Sequence, residues 1–414
     1  MKRFKLDYAV AGLPVAVRRT FGRRRSGPSD AIHDAFAYYF WRPMPGRLGY
    51  LRIVLAALTL PLLLARGMLS STRRNGRLVA QRYGRSVGEQ LRDQLHLFFR
   101  HGILPRWYYI FSLYEPGARE RAPSYIHRFE TKAGGLFTRL NARGRSPLND
   151  KVGFAAHCEA HGVRTVPVLY AGGAAVSAEQ GCLPGVDLFI KPVSARGGQG
   201  AERWDFDDGC YRHENGTQVD AVTLIRSTEA SDGRPARLIQ PRLVGDPAIA
   251  DLSNGALTTC RVLTCLDEQG RPEVIAAVFR MAVGANRTVD NFHAGGIAAA
   301  VDVTSGRLSS ASNIGANVRL GWLTHHPDTG AAIEGRVLPH WPETCALARA
   351  AHEAFSDRVV IGWDIGILAD GPCVVEGNVG PDLDILQRML RRGLADDRLG
   401  ELVAFHLSAL RRSR

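Results

Sequence analysis

Lysine is nearly absent from this 414-residue chain. Of 53 basic side chains only five are lysine: Lys2, Lys5, Lys132, Lys151 and Lys191. Arginine is the default cation, so each lysine marks a place where a compact charge on a thin stem differs in kind from a wide planar fork. Cysteine is sparse and unpatterned. Cys158, Cys182, Cys210, Cys260, Cys265, Cys345 and Cys373 are odd in number and include no C-x-x-C pair. That gives no support to zinc and argues for free thiols in a reducing compartment over a disulfide framework. Long apolar runs are missing too. The longest, Ile53–Ala65, has 13 residues, is broken by Pro61 and is flanked by Arg52 and Arg66. A spanning helix needs roughly 18 or more, so the run is expected to be a buried core helix or an interfacial one, the basic flanks suiting the latter. The first 30 residues are basic without an apolar centre, unlike a secretory signal. There is no G-x-x-x-x-G-K-[ST] string and no kinase H-R-D or D-F-G set, which excludes a P-loop NTPase and a protein kinase at motif level.

What is present is ordinary globular material, 45% hydrophobic and 22% charged, which excludes collagen-like and disordered chains. The net charge of +13 is uneven. Residues 1–100 hold 19 lysines and arginines against 5 acids, whereas the rest hold 34 against 35. A neutral body thus carries a basic N-terminal piece, suited to an anionic partner such as lipid or nucleic acid, or simply to solvent.

Residues 1–30 are turn-rich and expected to be loosely ordered, and residues 31–113 read as helical. An amphipathic helix is expected near 85–100, stopped by Gly102 and Pro105. The aromatic cluster Trp107, Tyr108, Tyr109, Phe111 and Tyr114 reads as core. From about residue 145 the texture becomes mixed. DKVGFAAHCEAHG predicts a helix capped by Asp150 and ended by Gly162. VRTVPVLYAGG, VDLFIKPV, ARLIQPRLV, ALTTCRVLTCLD and PEVIAAVFRMAV read as strands. VVIGWDIGILADGPCVVEGNVG reads as a hairpin, and the end is helical.

Two motifs fail on context. Gly84–Gly88 matches G-x-S-x-G, but a helical stretch precedes Ser86 where a strand is needed. His157 and His161 could share a helix face, yet the H-E-x-x-H order and a third ligand are missing.

Three features fit together. First, a strand delivers Lys191 and runs into the glycine-rich string Ser194–Gly200, with Gly197, Gly198 and Gly200. Glycines let backbone N–H groups wrap phosphate oxygens, and the lysine adds a point charge. Second, Glu376 and Asn378 stand two apart on a strand and so share a face. With Asp364 from the paired strand they offer hard oxygens, which suits Mg²⁺ shared with nucleotide phosphates. Third, Arg261 and Arg280 sit inside apolar strands and need an anion, from a protein carboxylate or a ligand. Asn291 and His293 follow in DNFHAGG.

On the strings NDKVGF, DLFIKPVSARGGQG, LIQPRL, TTCRVLT, FRMAVGANRTVDNFHAGGIAAAVD, IGWDIGI and VVEGNVGPDLDILQ, the chain from about Leu148 to Leu390 resembles the ATP-grasp superfamily. More narrowly it resembles the sugar-transfer-associated branch related to α-L-glutamate ligases. The resemblance implies an α+β fold of two lobes with ATP between antiparallel sheets, preceded by a basic, mainly helical N-terminal region. The expected division is 1–120 for that region, 121–235 for the first lobe and 236–414 for the second. It implies Lys151 and Lys191 as phosphate lysines, with Ser194, Gly197, Gly198 and Gly200 closing over the phosphates. Gln240, Arg242 and Leu243 would form the adenine-side hinge, here without the acidic residue that relatives carry at its start. Asp364, Glu376 and Asn378 would hold Mg²⁺, or Mn²⁺ in its place. Arg261, Arg280, Asn291 and His293 would face the γ-phosphate and the acceptor carboxylate.

The implied reaction is ATP-dependent joining of a carboxylate to an amine through an acyl phosphate, on a cell-envelope or capsular saccharide precursor or an amino acid attached to it. Two alternatives stand beside it: an ATP-grasp phosphotransferase acting on a small molecule, and a non-catalytic protein that meets membrane or nucleic acid through the basic N-terminus. The expected setting is cytoplasmic, with peripheral contact at the inner face of the membrane and no specific nucleic acid.

Overall fold

The computed structural model describes residues 6–21, 27–41, 47–132, 135–176, 182–194, 200–231, 235–284 and 295–412. Helices open the chain: α1 (Leu6–Phe21), α2 (Pro28–Phe40), α3 (Arg47–Tyr83), α4 (Val87–His101) and α5 (Pro105–Ile110). Short helices α6 (Arg128–Thr131) and α7 (Leu136–Leu140) follow, then α8 (Lys151–Ala160). The first sheet uses β1 (Tyr170–Ala171), β2 (Ala174–Ala175), β3 (Leu188–Pro192), β4 (Glu202–Asp207), β5 (Cys210–His213), β6 (Gln218–Val219) and β7 (Arg237–Pro241), with α9 (Ala221–Arg226) between the last two. The second uses β8 (Thr259–Leu266), β9 (Pro272–Met281), β10 (Ile297–Val301), β11 (Leu308–Ser312), β12 (Val360–Leu368) and β13 (Gly371–Asn378). Helix α10 (Trp341–Ala354) precedes β12, and α11 (Leu383–Met389) and α12 (Arg398–Arg412) end the chain.

Both sheets are antiparallel, in the orders β2-β1-β7-β3-β4-β5-β6 and β11-β10-β9-β8-β12-β13. The α+β expectation with a helical N-terminal region therefore holds. Several local expectations hold as well. Helix α8 begins at the Asp150 cap, whose side chain accepts from the Val152 N–H, and Gly162 follows it at φ 66°. Helix α4 ends at Gly102 in the left-handed region. The strands β12 and β13 form the hairpin, turning at Ala369 and Asp370. Ser86 of the G-x-S-x-G string caps α4 reciprocally with Glu89. It is a helix start and no nucleophile elbow. His157 Nε2 donates to the Ala354 carbonyl (2.8 Å) and His161 Nδ1 donates to the His157 carbonyl (2.8 Å), so both histidines serve packing.

Three expectations are corrected. The described part of residues 1–30 is largely helical, because α1 and α2 bury Val15, Ile32, Ala35 and Phe36 in one core with α12 and the second sheet. Burial of an apolar face, more than propensity, makes such helices. VRTVPVLYAGG supplies only the two-residue strand β1 and a bridge from Thr165 to Val374. The run Ile53–Ala65 lies within the 37-residue helix α3, with Pro61 inside it. It is not a buried core helix: Leu58 is 73% exposed and Leu62 71%.

Candidate active site

Alternation along β8 separates Arg261, Leu263 and Cys265 from Cys260, Val262 and Thr264. The second set packs with Phe279, Trp363, Ile365 and α10, while Leu263 and Cys265 join the core that includes α11 and α12. The face carrying Leu263 turns from apolar to charged at Arg261. Register does the rest. Asp364 of β12 pairs with Arg261 of β8 on one side and Glu376 of β13 on the other. One step along, Gly362 stands opposite Asn378. A Cβ at Gly362 would lie 2.8 Å from Pro381 and 3.5 Å from the Arg261 side chain, so glycine leaves the arginine its room. Arg280 of β9 pairs with Thr259, two residues from Arg261, and so reaches the same face.

Both arginines find the anion they need in Asp364. Arg261 Nε and Nη2 donate to its two oxygens, the second at 2.9 Å, and Arg280 Nη2 lies 3.1 Å away. Arg280 also donates from Nε to Thr259 Oγ1 at 3.0 Å. Burial alone would raise the Asp364 carboxyl, but Arg261 and then Arg280 outweigh it and hold it well below the usual carboxylate range. Glu376 is the contrasting case. Burial, and then the negative charge of Asp364, push its carboxyl up, and Arg261 and Lys191 only partly offset this. Asn378 Nδ2 donates to Glu376 Oε1 at 3.2 Å.

Lys191 comes from β3 of the other sheet. Its strand buries Leu188 and Ile190 against Trp204 and Tyr211 on one side. On the other, Lys191 lies opposite Leu238, which packs on Val152 and Ala155 of α8. Burial pulls the Lys191 ammonium down to about 8; Glu376 partly restores it, and Lys151 lowers it further. Lys151, the first residue of α8, donates to the Pro192 carbonyl at 2.6 Å. The two lysines are thus brought to one end of β3, and Lys191 is coupled across the sheets to Glu376.

A carboxyl pushed up and a lysine pushed down on facing elements are both corrected by one addition, a divalent cation bound to an anion. The donors fit: Glu376 and Asn378 present hard oxygens, and Asp364 adds a third group whose oxygens are already engaged by guanidinium. Among the described residues no group of three His, Cys, Asp or Glu is placed to hold a metal ion, so the candidate set is two carboxylates and an amide.

The three residues expected at the hinge are placed differently. Gln240 is buried on β7 and donates to the Val166 carbonyl at 3.1 Å. The Arg242 side chain is spent on Asp187 (2.8 Å) and Asp205 (2.7 Å), and its N–H on the Asp187 carbonyl. Leu243 packs with Val166, Leu257, Leu368 and Val375, an apolar patch between the sheets. Sequence reading passed over this patch because its members are scattered from residue 166 to 375. It also missed Arg237, which pairs with Glu202 (2.9 Å) and donates to the Gly200 carbonyl (3.1 Å), fastening the end of the glycine string. An arginine at a strand start carries no motif. Ser194 is exposed after β3, and Gly200 has φ 70°. Gly197, Gly198, Asn291 and His293 lie outside the described residues.

A family model described as sugar-transfer associated ATP-grasp matches residues 133–400. No curated protein matches the chain. Among solved structures, the chain is similar to L-amino acid ligase from Bacillus licheniformis, at 10% identity and TM-score 0.33, covering 62% of this chain and 51% of that one. It is similar to the ATP-grasp ligase PsnB complexed with Mg and ADP, at 15% identity and TM-score 0.34, covering 66% and 61%. It is similar to D-alanine–D-alanine ligase from Bacillus anthracis complexed with ATP, at 12% identity and TM-score 0.35, covering 66% and 70%. The chain thus spans only 51% and 61% of the first two.

Proposed function

The chain belongs to the sugar-transfer associated ATP-grasp family, and from that premise we propose that it joins a carboxylate to an amine at the expense of ATP. The observation that carries this reading is the Arg261–Asp364–Glu376 rung, fixed by strand register and by the guanidinium bonds to Asp364, with Lys191 of the other sheet near enough to feel the charge of Glu376. It leaves a charged seam between two sheets with an apolar patch beside it, suited to the phosphates and the base of a nucleotide.

In this reading Lys151 and Lys191 hold the phosphates, and Ser194, Gly197, Gly198 and Gly200 cover them. Gln240, Arg242 and Leu243 border the base, with Val166 and Leu368 beneath it. Asp364, Glu376 and Asn378 would hold Mg²⁺, or Mn²⁺, which when bound supplies charge neutralisation for the phosphates. Arg261 and Arg280 orient the carboxylate substrate, with Asn291 and His293. A substrate carboxylate oxygen forms a bond to the γ-phosphorus while the bond to the β,γ-bridging oxygen breaks, giving acyl phosphate and ADP. The amine nitrogen then attacks the acyl carbon, inorganic phosphate leaves with the C–O electrons, and the nitrogen loses a proton. Positioning and charge placement supply the catalysis, so no nucleophilic side chain is needed. The family description supports a saccharide precursor of the cell envelope, or an amino acid attached to one, as the acceptor. The need for ATP and the unpaired cysteines support a cytoplasmic setting.

The test is ADP release by the purified protein with ATP and Mg²⁺, screened against amino acids and uronic-acid sugars, with mass spectrometry of products. Amine-dependent ADP release and an amide product are expected, abolished by chelation and by Lys191→Ala or Glu376→Ala. Full activity in either variant would remove the site assignment. A phosphorylated product formed without amine would make the protein a phosphotransferase instead.

A further inference from the structure

Helix α3 is built in two halves. Its C-terminal half is fastened to the body. Asn75, 1% exposed, donates to the Ala316 carbonyl and accepts from the Val318 N–H, and Arg82 donates to the carbonyls of Val318 and Arg319. Among the described residues, its N-terminal half packs inward only. Ala56 meets Val10 of α1, and Leu64 and Met68 meet Phe98 of α4. The opposite side carries Leu51, Val54, Leu55, Leu58, Leu62 and Leu69, each at least 42% exposed. Their spacing puts them on one stripe. An aliphatic stripe of this length, without polar interruption, is not left in water unless something covers it.

The surrounding charge says what covers it. Between Asp34 and Glu89 the sequence contains nine arginines and no acid. Arg66, Arg73 and Arg77 are exposed, and their spacings of seven and four put them along one flank of the stripe. A second copy packed on this face by two-fold symmetry would set arginine rim against arginine rim. A surface of anionic headgroups over hydrocarbon matches both the rim and the stripe. The helix is long and apolar enough to cross a membrane by length and composition. Its inner side, however, is occupied by α1 and α4, and α4 exposes Arg92, His96 and Arg100 beside it. A crossing would carry those charges into hydrocarbon.

We propose that α3 seats this protein on an anionic lipid bilayer, lying in the plane of the interface with the Leu58–Leu62 face in the acyl boundary and the Arg66, Arg73 and Arg77 flank on the headgroups. The proposal is independent of the reaction assigned above.

The experiment is co-sedimentation of the full chain with vesicles of phosphatidylcholine, with and without phosphatidylglycerol, at low and high salt. Circular dichroism checks that each variant is folded. Binding to the anionic vesicles, weakened by salt, is expected. Leu58→Gln with Leu62→Gln should weaken it at least about tenfold by removing inserted aliphatic surface. Arg73→Gln with Arg77→Gln should weaken it roughly 30-fold on anionic vesicles only, at about 1 kcal/mol per basic residue. Both pairs are remote from the charged seam, so ATP turnover in solution should be unchanged. No binding to either vesicle would overturn the proposal. So would a dimer that the leucine pair dissolves in the absence of lipid, or membrane-expressed protein that resists alkaline extraction as a spanning helix does.

Discussion

Lys191 stands where an arginine-rich chain has kept a lysine, and its surroundings say why. It is flanked by Glu376 and Lys151, half-buried, with its ammonium already pulled down to about 8. A guanidinium there would be wider, would stay charged, and would compete with Arg261 and Arg280 for the same carboxylates. Lys191→Arg should therefore lower ATP-dependent ADP formation by about 100-fold, on the scale of a lost oriented charge contact. The check is kinetics beside a thermal melt, and activity within about threefold of wild type would show that charge alone suffices. Lys132, which no motif explains, lies 3.1 Å from Asp382, with Arg128 at 2.9 Å from the same carboxylate. Its role is to hold the N-terminus of α11, and only proximity across 250 residues reveals it. Arg261 and Arg280 were legible as arginines in need of an anion. That one carboxylate, Asp364, serves both was not, because strand register is set by the whole sheet.

At the level of elements, one histidine fixes how α10 sits on the second sheet. His352 is fully buried, with Nδ1 2.7 Å from Thr264 Oγ1 and Nε2 2.9 Å from the Arg358 carbonyl. Trp363 Nε1 donates to the same hydroxyl at 2.9 Å. The ring donates from Nε2 to the carbonyl, and its burial favours the neutral form. Burial pulls its pKa down from 6.5 to about 4. A base whose folded pKa is depressed adds stability that is full above the unfolded value and lost as pH falls through the folded one. Urea-unfolding stability should therefore decline from pH 6.5 to about 4, this proton contributing about 1.4 kcal/mol per pH unit. His352→Gln should flatten that slope while lowering stability at neutral pH. An unchanged slope would place the acid sensitivity elsewhere, His127 being the next buried neutral ring. Helices α4 and α8 were readable in advance because their caps are local. Helix α1 was not, since it forms by packing into the core it shares with α2 and α12.

At the scale of the molecule, the basic N-terminal region is woven into the body. Val15, Ile32 and Phe36 share a core with Leu263, Val360, Leu399 and Leu407. Arg388 of α11 is buried and binds the Ile110 carbonyl, Ser112, Ser312 and the Asn313 carbonyl, joining three distant segments. Gln387 beside it bonds both the N–H and the carbonyl of Ile126. A chain beginning at residue 121 would expose that core and take the Ile110 carbonyl and Ser112 away from the buried Arg388, a cost of several kcal/mol. It should be insoluble or melt without a cooperative transition by circular dichroism. A soluble chain that melts cooperatively at the wild-type temperature would show the region to be a detachable appendage.

The sequence by itself determined the strands β3, β7, β8, β9, β12 and β13, the local caps, the family resemblance and most of the charged seam, because these depend on apolar runs and alternation, nearest-neighbour capping and short strings such as FIKP and VVEGN. Tertiary structure alone decided the pairing of two arginines with Asp364, the apolar patch around Leu243, the work of Lys132, and which side of α3 is left bare. A helix that is apolar nearly all round does not say which stripe its neighbours will cover. That is settled by α1 and α4 claiming the inner side, and what they leave uncovered is the surface offered to lipid.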